Sequence, residues 1–224
     1  MIKIHHTFAL IAALALSLTA AQANNPDYSR LSERINKAST ILQELRSEKG
    51  IPQDQIARAK GIAILRITKG GFVVSGSDGR GIVVARTSNG WSAPLAFSAG
   101  GAGLGLQVGS EESDMVFVLN SQEAIDDFMR GGSFKLSGTA GATTGDSSVH
   151  EGASATGSEG TIVYRRTGGA FAGVAFQGAD VSLDNETNRK AYGEGYSASE
   201  ILSGKVHPPA VAKPLYRVLG GGDQ

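Results

Sequence analysis

Chemistry in a protein starts from the side chains that can carry it, and here they are few. Setting aside an N-terminal segment read below as a cleaved leader, the histidines are His150 and His207, and the chain contains no cysteine. Disulfides, thiolate metal sites, cysteine nucleophiles and lipid-modified cysteines are thereby excluded. His150 stands beside Asp146 and Glu151 in a Gly/Ser-rich stretch, where a solvated loop imidazole is expected, because a metal or catalytic site needs a rigid supporting shell. His207 precedes Pro208-Pro209 and reads as a turn residue. Asp184, Asn185, Glu186 and Asn188 invite a calcium reading, yet they lack the alternating oxygen ligands and central glycine of the twelve-residue loop. Gly101, Gly103 and Gly105 suggest a nucleotide-binding turn. The fingerprint needs a further glycine three residues on, and no Lys-Ser or Lys-Thr follows to make a P-loop. A nucleophile elbow of the form G-x-S-x-G is also missing. These residues predict a protein that is not an enzyme, with no metal, cofactor or nucleotide.

Charge is more informative. The 21 basic and 21 acidic residues balance, and the pI is about 6.9, which argues against a nucleic-acid partner. The distribution is uneven. Arg58, Lys60, Arg66, Lys69, Arg80 and Arg86 fall in a stretch whose one acid is Asp78, whereas Glu111, Glu112, Asp114, Glu123, Asp126 and Asp127 come later. Each basic residue close to anionic lipid contributes about 1 kcal/mol of attraction, so the six are the candidate lipid-binding residues. A set of ordinary solvated strand and turn residues is the competing reading.

Those residues must be positioned by something. Met1 to Ala23 begins with Lys3, runs through the apolar Phe8 to Leu18 and ends in Ala21-Gln22-Ala23. That is the three-part form of a secretory signal, too short in its apolar part to span a bilayer. Cleavage after Ala23 is expected, leaving a periplasmic or secreted protein that is not a lipoprotein. From Tyr28 to Leu45, apolar residues at spacings of three and four predict an amphipathic helix capped by Asp27, with Gly50 and Pro52 as its stop. A second short helix is expected over Gln53 to Lys60.

Beyond it, 24 of the 31 glycines lie between Gly61 and Gly178. They separate β-branched and aromatic runs: 62–68, 72–75, 82–86, 104–108, 115–119, 161–166 and 170–176. Lys69-Gly70-Gly71, Ser77-Asp78-Gly79, Ser88-Asn89-Gly90 and Thr167-Gly168-Gly169 read as hairpin turns. Ser121 can cap a short helix through Met129, 138–160 reads as strand edges joined by mobile loops, and Ser197 with Glu200 makes a capping box. The architecture predicted is α+β: an N-terminal amphipathic helix on a glycine-rich, mostly antiparallel β core, with Trp91 buried. Leu31, Ile35, Ile41 and Leu45 can seal that core or lie in a membrane, and packing in the core is the expectation.

The ordered run Ile51-Pro52, Ala59-Lys60-Gly61-Ile62-Ala63-Ile64, Gly70-Gly71-Phe72-Val73, Gly79-Arg80-Gly81-Ile82-Val83-Val84 and Trp91-Ser92-Ala93-Pro94 resembles the SYLF domain family. Gly105-Leu106-Gln107-Val108-Gly109, Tyr164, Phe171-Ala172-Gly173-Val174 and Gly178 continue it in order. The resemblance covers about residues 31–202, so 24–224 is read as a single domain with a short C-terminal extension. It implies a lipid-binding module whose β core contains a part similar to a BON domain. Eukaryotic relatives bind phosphoinositide membranes, fungal ones are associated with actin regulation, and bacterial ones are secreted or periplasmic. The expected function is noncatalytic binding of anionic phospholipid or a membrane surface in a bacterial periplasm. The alternative is a cell-envelope structural module that binds an envelope protein and has no lipid ligand.

Overall fold

The computed structural model describes residues 27–47, 51–69, 77–100, 112–140, 160–167, 170–173 and 176–220. Residues 1–23, read from sequence as a leader, the Gly101/Gly103/Gly105 motif, His150, most of 138–160, and the runs 72–75 and 104–108 lie outside them.

Helix α1 spans Ser29–Ser47. Asp27 Oδ1 accepts the Ser29 amide at 3.0 Å, which satisfies one of the donors a helix start leaves open. The stripe Leu31, Ile35, Ala38, Ile41, Leu42 and Leu45 is buried throughout, none of it more than 2% exposed. At about 1.5–3 kcal/mol for each fully buried Leu or Ile, packing against the sheet holds this helix more than its intrinsic propensity does. Helix α2, Gln53–Arg58, follows and buries Ile56.

The strands are β1 (Gly61–Lys69), β2 (Ser77–Thr87), β3 (Gly90–Trp91), β4 (Leu95–Gly100), β5 (Glu112–Leu119), β6 (Ser133–Ala140), β7 (Thr161–Thr167), β8 (Ala170–Gly173) and β9 (Phe176–Leu183). They pair in the order β1-β5-β7-β6-β9-β4-β2, and β2 pairs back onto β1. The sheet therefore curls until seven strands close a ring, which leaves those strands no free edge. Every pairing is antiparallel except β6 with β7. Short β3 pairs with β2, and β8 with β7.

One correction concerns Ser77-Asp78-Gly79, read from sequence as a turn. It is the start of β2, paired with Lys69, Thr68 and Ile67. The glycine is there for room rather than for a positive φ: a Cβ on Gly79 would lie 2.9 Å from Leu65 Cδ1, and one on Gly81 would lie 2.4 Å from the Ile64 carbonyl oxygen and 2.6 Å from Phe97 Cζ. Both glycines thus face inward, where large side chains need the space, and Arg80 between them faces outward.

Helix α3, Gln122–Arg130, is capped by Ser121, which accepts the Ala124 amide. It fills the interior from one end. Phe128 meets Phe97 and Phe134 edge-on, with ring centroids 5.3 and 4.8 Å away, and a Cβ on Gly61 would collide with Ile125 Cδ1. The outside carries α1, α4 (Asn185–Tyr192), α5 (Ala198–Leu202) and α6 (Lys213–Val218). Ser197 and Glu200 form the reciprocal capping box at α5. The C-terminal segment is built into the core: Leu215 and Tyr216 are buried, and the Tyr216 hydroxyl donates to the Ser92 carbonyl at 2.8 Å. Trp91 is 2% exposed. Among the described residues no helix is long and apolar enough to cross a membrane.

Candidate functional site

The strand register gathers distant residues into one transverse row on the outer face. Ser182 lies opposite Ser98, Ser98 opposite Arg80, Arg80 opposite Arg66, Arg66 opposite Asp114, and Asp114 opposite Arg166. Directly opposed side chains lie about 5 Å apart at Cβ, and like charges placed so repel. The Arg66–Arg80 pair is therefore unfavourable unless negative charge comes close to it. Asp114 supplies part of that charge: its carboxylate takes Arg66 Nε at 2.7 Å and Nη2 at 2.9 Å. Both oxygens serve one guanidinium, and the pair is partly sheltered, with the Arg66 side chain 25% exposed and that of Asp114 8%.

Helix α1 lies over this row. Glu33 and Arg34 lie three and four residues from Arg30 and four and three from Lys37, so the four share one flank of the helix beside its buried stripe. Between that flank and the sheet is a cleft of about 680 Å³, within the range of natural ligand sites. Ala38, Ile41 and Ile64 give it an apolar floor. Arg66, Arg80 and Ser98 line the sheet side, and Asp184 and Glu186 of the α4 start close one end. Five cationic side chains thus face three carboxylates across it, with Asp114 behind Arg66 as a fourth.

Each carboxylate is engaged. Burial alone would raise the Asp184 pKa, but the hydrogen bond from the Thr187 amide and the charge and hydrogen bond of Arg34 outweigh it and hold the group below the usual carboxylate value. Asp184 caps α4 by accepting the Thr187 amide at 3.0 Å and pairs with Arg34, whose other nitrogen donates to the Phe97 carbonyl at 2.8 Å. Arg34 is the bolt between helix and sheet. Glu33 is held low by a hydrogen bond from Lys37 and by its charge, with smaller help from Arg80. Glu186 is held low by a hydrogen bond from Lys190 and by the charge of Arg30. Arg30 meets it at 3.2 Å with both groups more than half exposed.

Of the six cations predicted from sequence, Arg66 and Arg80 come together in this cleft. Arg58 is on α2, bonded to Asp54 at 2.6 Å, and Lys60 is exposed at the far end of β1, about 20 Å along the strand from Arg66. Arg86 donates to the Ala59 and Ile56 carbonyls at 3.1 Å each and stacks 4.1 Å from the Trp91 ring centroid. It closes α2 and covers the indole. Lys69 ends β1, and its side chain lies outside the described residues. The cations missed are Arg30, Arg34 and Lys37. Their spacing on one helical flank was visible, but not that this flank would face Arg66 and Arg80.

The residues of the calcium reading set aside above serve as helix fastenings. Asp184 serves as described, and Asn188 accepts the Ala96 amide at 2.8 Å and donates to the Ala96 carbonyl at 2.9 Å, fastening α4 to β4. Among the described residues no group of three or more His, Asp or Glu side chains is placed to hold a metal ion.

A family model described as "Ysc84: Las17-binding protein actin regulator" matches residues 100–221. LAS seventeen-binding protein 3 of Saccharomyces cerevisiae is 40% identical over 208 residues, covering 88% of this chain and 45% of that protein. An SH3 domain-containing protein of Schizosaccharomyces pombe is 39% identical, with 88% and 48% covered. SH3 domain-containing YSC84-like protein 1 of Rattus norvegicus is 38% identical over 206 residues, with 88% and 61% covered. The chain spans about half the length of these curated relatives.

Proposed function

The chain belongs to the Ysc84 family, whose shared unit is the SYLF domain, and from that premise we propose that it is a noncatalytic binder of anionic phospholipid in the bacterial periplasm. The observation that carries the reading is the cleft under α1, where two arginines opposed on adjacent strands and three cations of the helix face one shared space. A phosphate diester entering there relieves the Arg66–Arg80 repulsion, while its acyl chains stay in the membrane. The apolar stripe of α1 is already spent on the core, so attraction comes from charge. The Lys3, Phe8–Leu18 and Ala21-Gln22-Ala23 pattern supports export, which N-terminal sequencing of the protein recovered from periplasmic extract tests.

Co-sedimentation with phosphatidylglycerol-rich and with phosphatidylcholine vesicles tests the binding. Acidic vesicles should retain the protein, neutral ones should not, and retention should fall with salt, because exposed charges are screened beyond about 8 Å at physiological ionic strength. Replacing Arg66 and Arg80 together by Gln should weaken retention by up to about 2 kcal/mol. Equal, salt-independent retention on both vesicles overturns the proposal.

A second reading, a protein-interaction module of the envelope, draws on the relatives' printed names, which give Las17 as what some of them bind. Crosslinking in intact cells that captures one envelope protein, with the acidic-vesicle assay negative, would favour it.

A further inference from the structure

A second cleft, of about 350 Å³, lies between the β2–β3 turn and the segment running from Gly204 to Tyr216. The two chains approach closely: Gly204 has φ +83°, and a Cβ on it would lie 3.1 Å from Thr87 Cγ2. Its walls are apolar, formed by Trp91, Val206, Pro209 and Tyr216. Its charged side chains are Lys205 and Lys213, both exposed, with His207 between them and no carboxylate in the lining. Neither lysine has an ion-pair partner within 4.0 Å among the described residues. Glu200 feels the charge of Lys205 but is occupied by the Ser197 capping box.

Trp91 also carries an unmet donor, its indole nitrogen. It is buried, yet its N–H has no acceptor among the described residues. Buried indole donors usually find a partner, and one without needs an explanation. The Tyr216 hydroxyl beside it is spent on Ser92, and Arg86 stacks on the ring and brings a further positive charge. The site therefore offers two ammonium groups beside an apolar pocket and no carboxylate in its lining.

We propose that this cleft binds a small organic acid: a monocarboxylate whose apolar body packs on Trp91, Pro209 and Tyr216 and whose carboxylate is met by Lys205 and Lys213. A carboxylate suits the site better than a phosphate because the lining holds point-charge ammonium groups and no guanidinium fork. The site is separate from the cleft under α1 and does not depend on phospholipid binding.

Trp91 is the one tryptophan of the chain, so intrinsic fluorescence reports on this cleft alone. The full chain is titrated at constant ionic strength with hexanoate, hexan-1-ol and inorganic phosphate, and calorimetry follows the same titrations in case the emission is insensitive. Hexanoate should give a saturable signal that the other two do not. Lys205→Gln with Lys213→Gln should weaken it about tenfold, while Lys135→Gln, a distant exposed lysine, should leave it unchanged. The proposal is overturned if hexan-1-ol matches hexanoate, if phosphate does, if the double substitution has no effect, or if neither method detects saturable binding.

Discussion

Ile35→Asp separates the two duties that the α1 stripe could serve. The side chain is 0% exposed and sits mid-helix between Leu31 and Leu42 on the face that packs against the sheet. Removing the three side-chain carbons beyond Cβ forfeits about 2–3 kcal/mol of transfer free energy at roughly 0.8 kcal/mol per methylene, and truncations of this kind measure about 2–5 kcal/mol once the cavity is included. The new carboxylate has no cation of its own on that face, and burying it unpaired costs several kcal/mol more. A total near 5 kcal/mol rivals the whole stability of many domains. The milder Ile35→Ala therefore gives the measurable number: a loss of about 3 kcal/mol, or roughly 6–12 °C in Tm for a chain of this size. Ile35→Asp should be largely unfolded. Thermal unfolding by circular dichroism, beside vesicle co-sedimentation of Ile35→Ala below its Tm, reads both duties. If both variants kept the parent Tm while losing vesicle binding, the stripe would be a membrane anchor and the packing argument would fail.

Asp114→Asn should act in two directions: releasing Arg66 from its bidentate partner lowers stability by about 1–3 kcal/mol and raises retention on acidic vesicles, so a denaturant melt and co-sedimentation should move oppositely. Gly81→Ala places a methyl 2.4 Å from the Ile64 carbonyl oxygen and against the Phe97 ring. Overpacking of that kind costs about 1–3 kcal/mol, and a Tm unchanged within a degree would refute the close approach. Asp184 has a folded pKa below its unfolded value, so its contribution is fully present above the unfolded pKa and is lost as pH falls through the folded one. Stability of the parent should therefore fall more steeply than that of Asp184→Asn from about pH 5 downward, as followed by urea midpoints at a series of pH values.

Much of the local structure was legible because it depends on neighbours in sequence. The spacing of Leu31, Ile35, Ile41 and Leu45 specified a helix and its buried side, Ser121 and Ser197 announced helix starts, and short β-branched runs between glycines announced strands. Other features needed contacts across the chain. Ser77-Asp78-Gly79 looks like a turn because glycine and aspartate favour turns, and it is strand because Leu65 and Phe97 need the space that Gly79 and Gly81 leave. β4 and β6 went unread, since a strand such as Leu95–Gly100 declares itself through its partners β2 and β9 more than through its own composition.

The sequence by itself determined which side chains are available and which way they alternate along each strand: no cysteine, two histidines after residue 23, and Arg66 and Arg80 each on the face opposite its apolar or glycine neighbours. Tertiary structure alone decided which cations meet. Closing seven strands into a ring set Arg80, Arg66 and Asp114 side by side, and laying α1 over them brought Arg30, Arg34 and Lys37 across, while Arg58, Lys60 and Arg86 were left at the other end. The reason is range: alternation and helical periodicity act over a few residues of one element, whereas register and helix docking join residues 48 or 150 positions apart, and one segment's composition does not encode the partner it will meet.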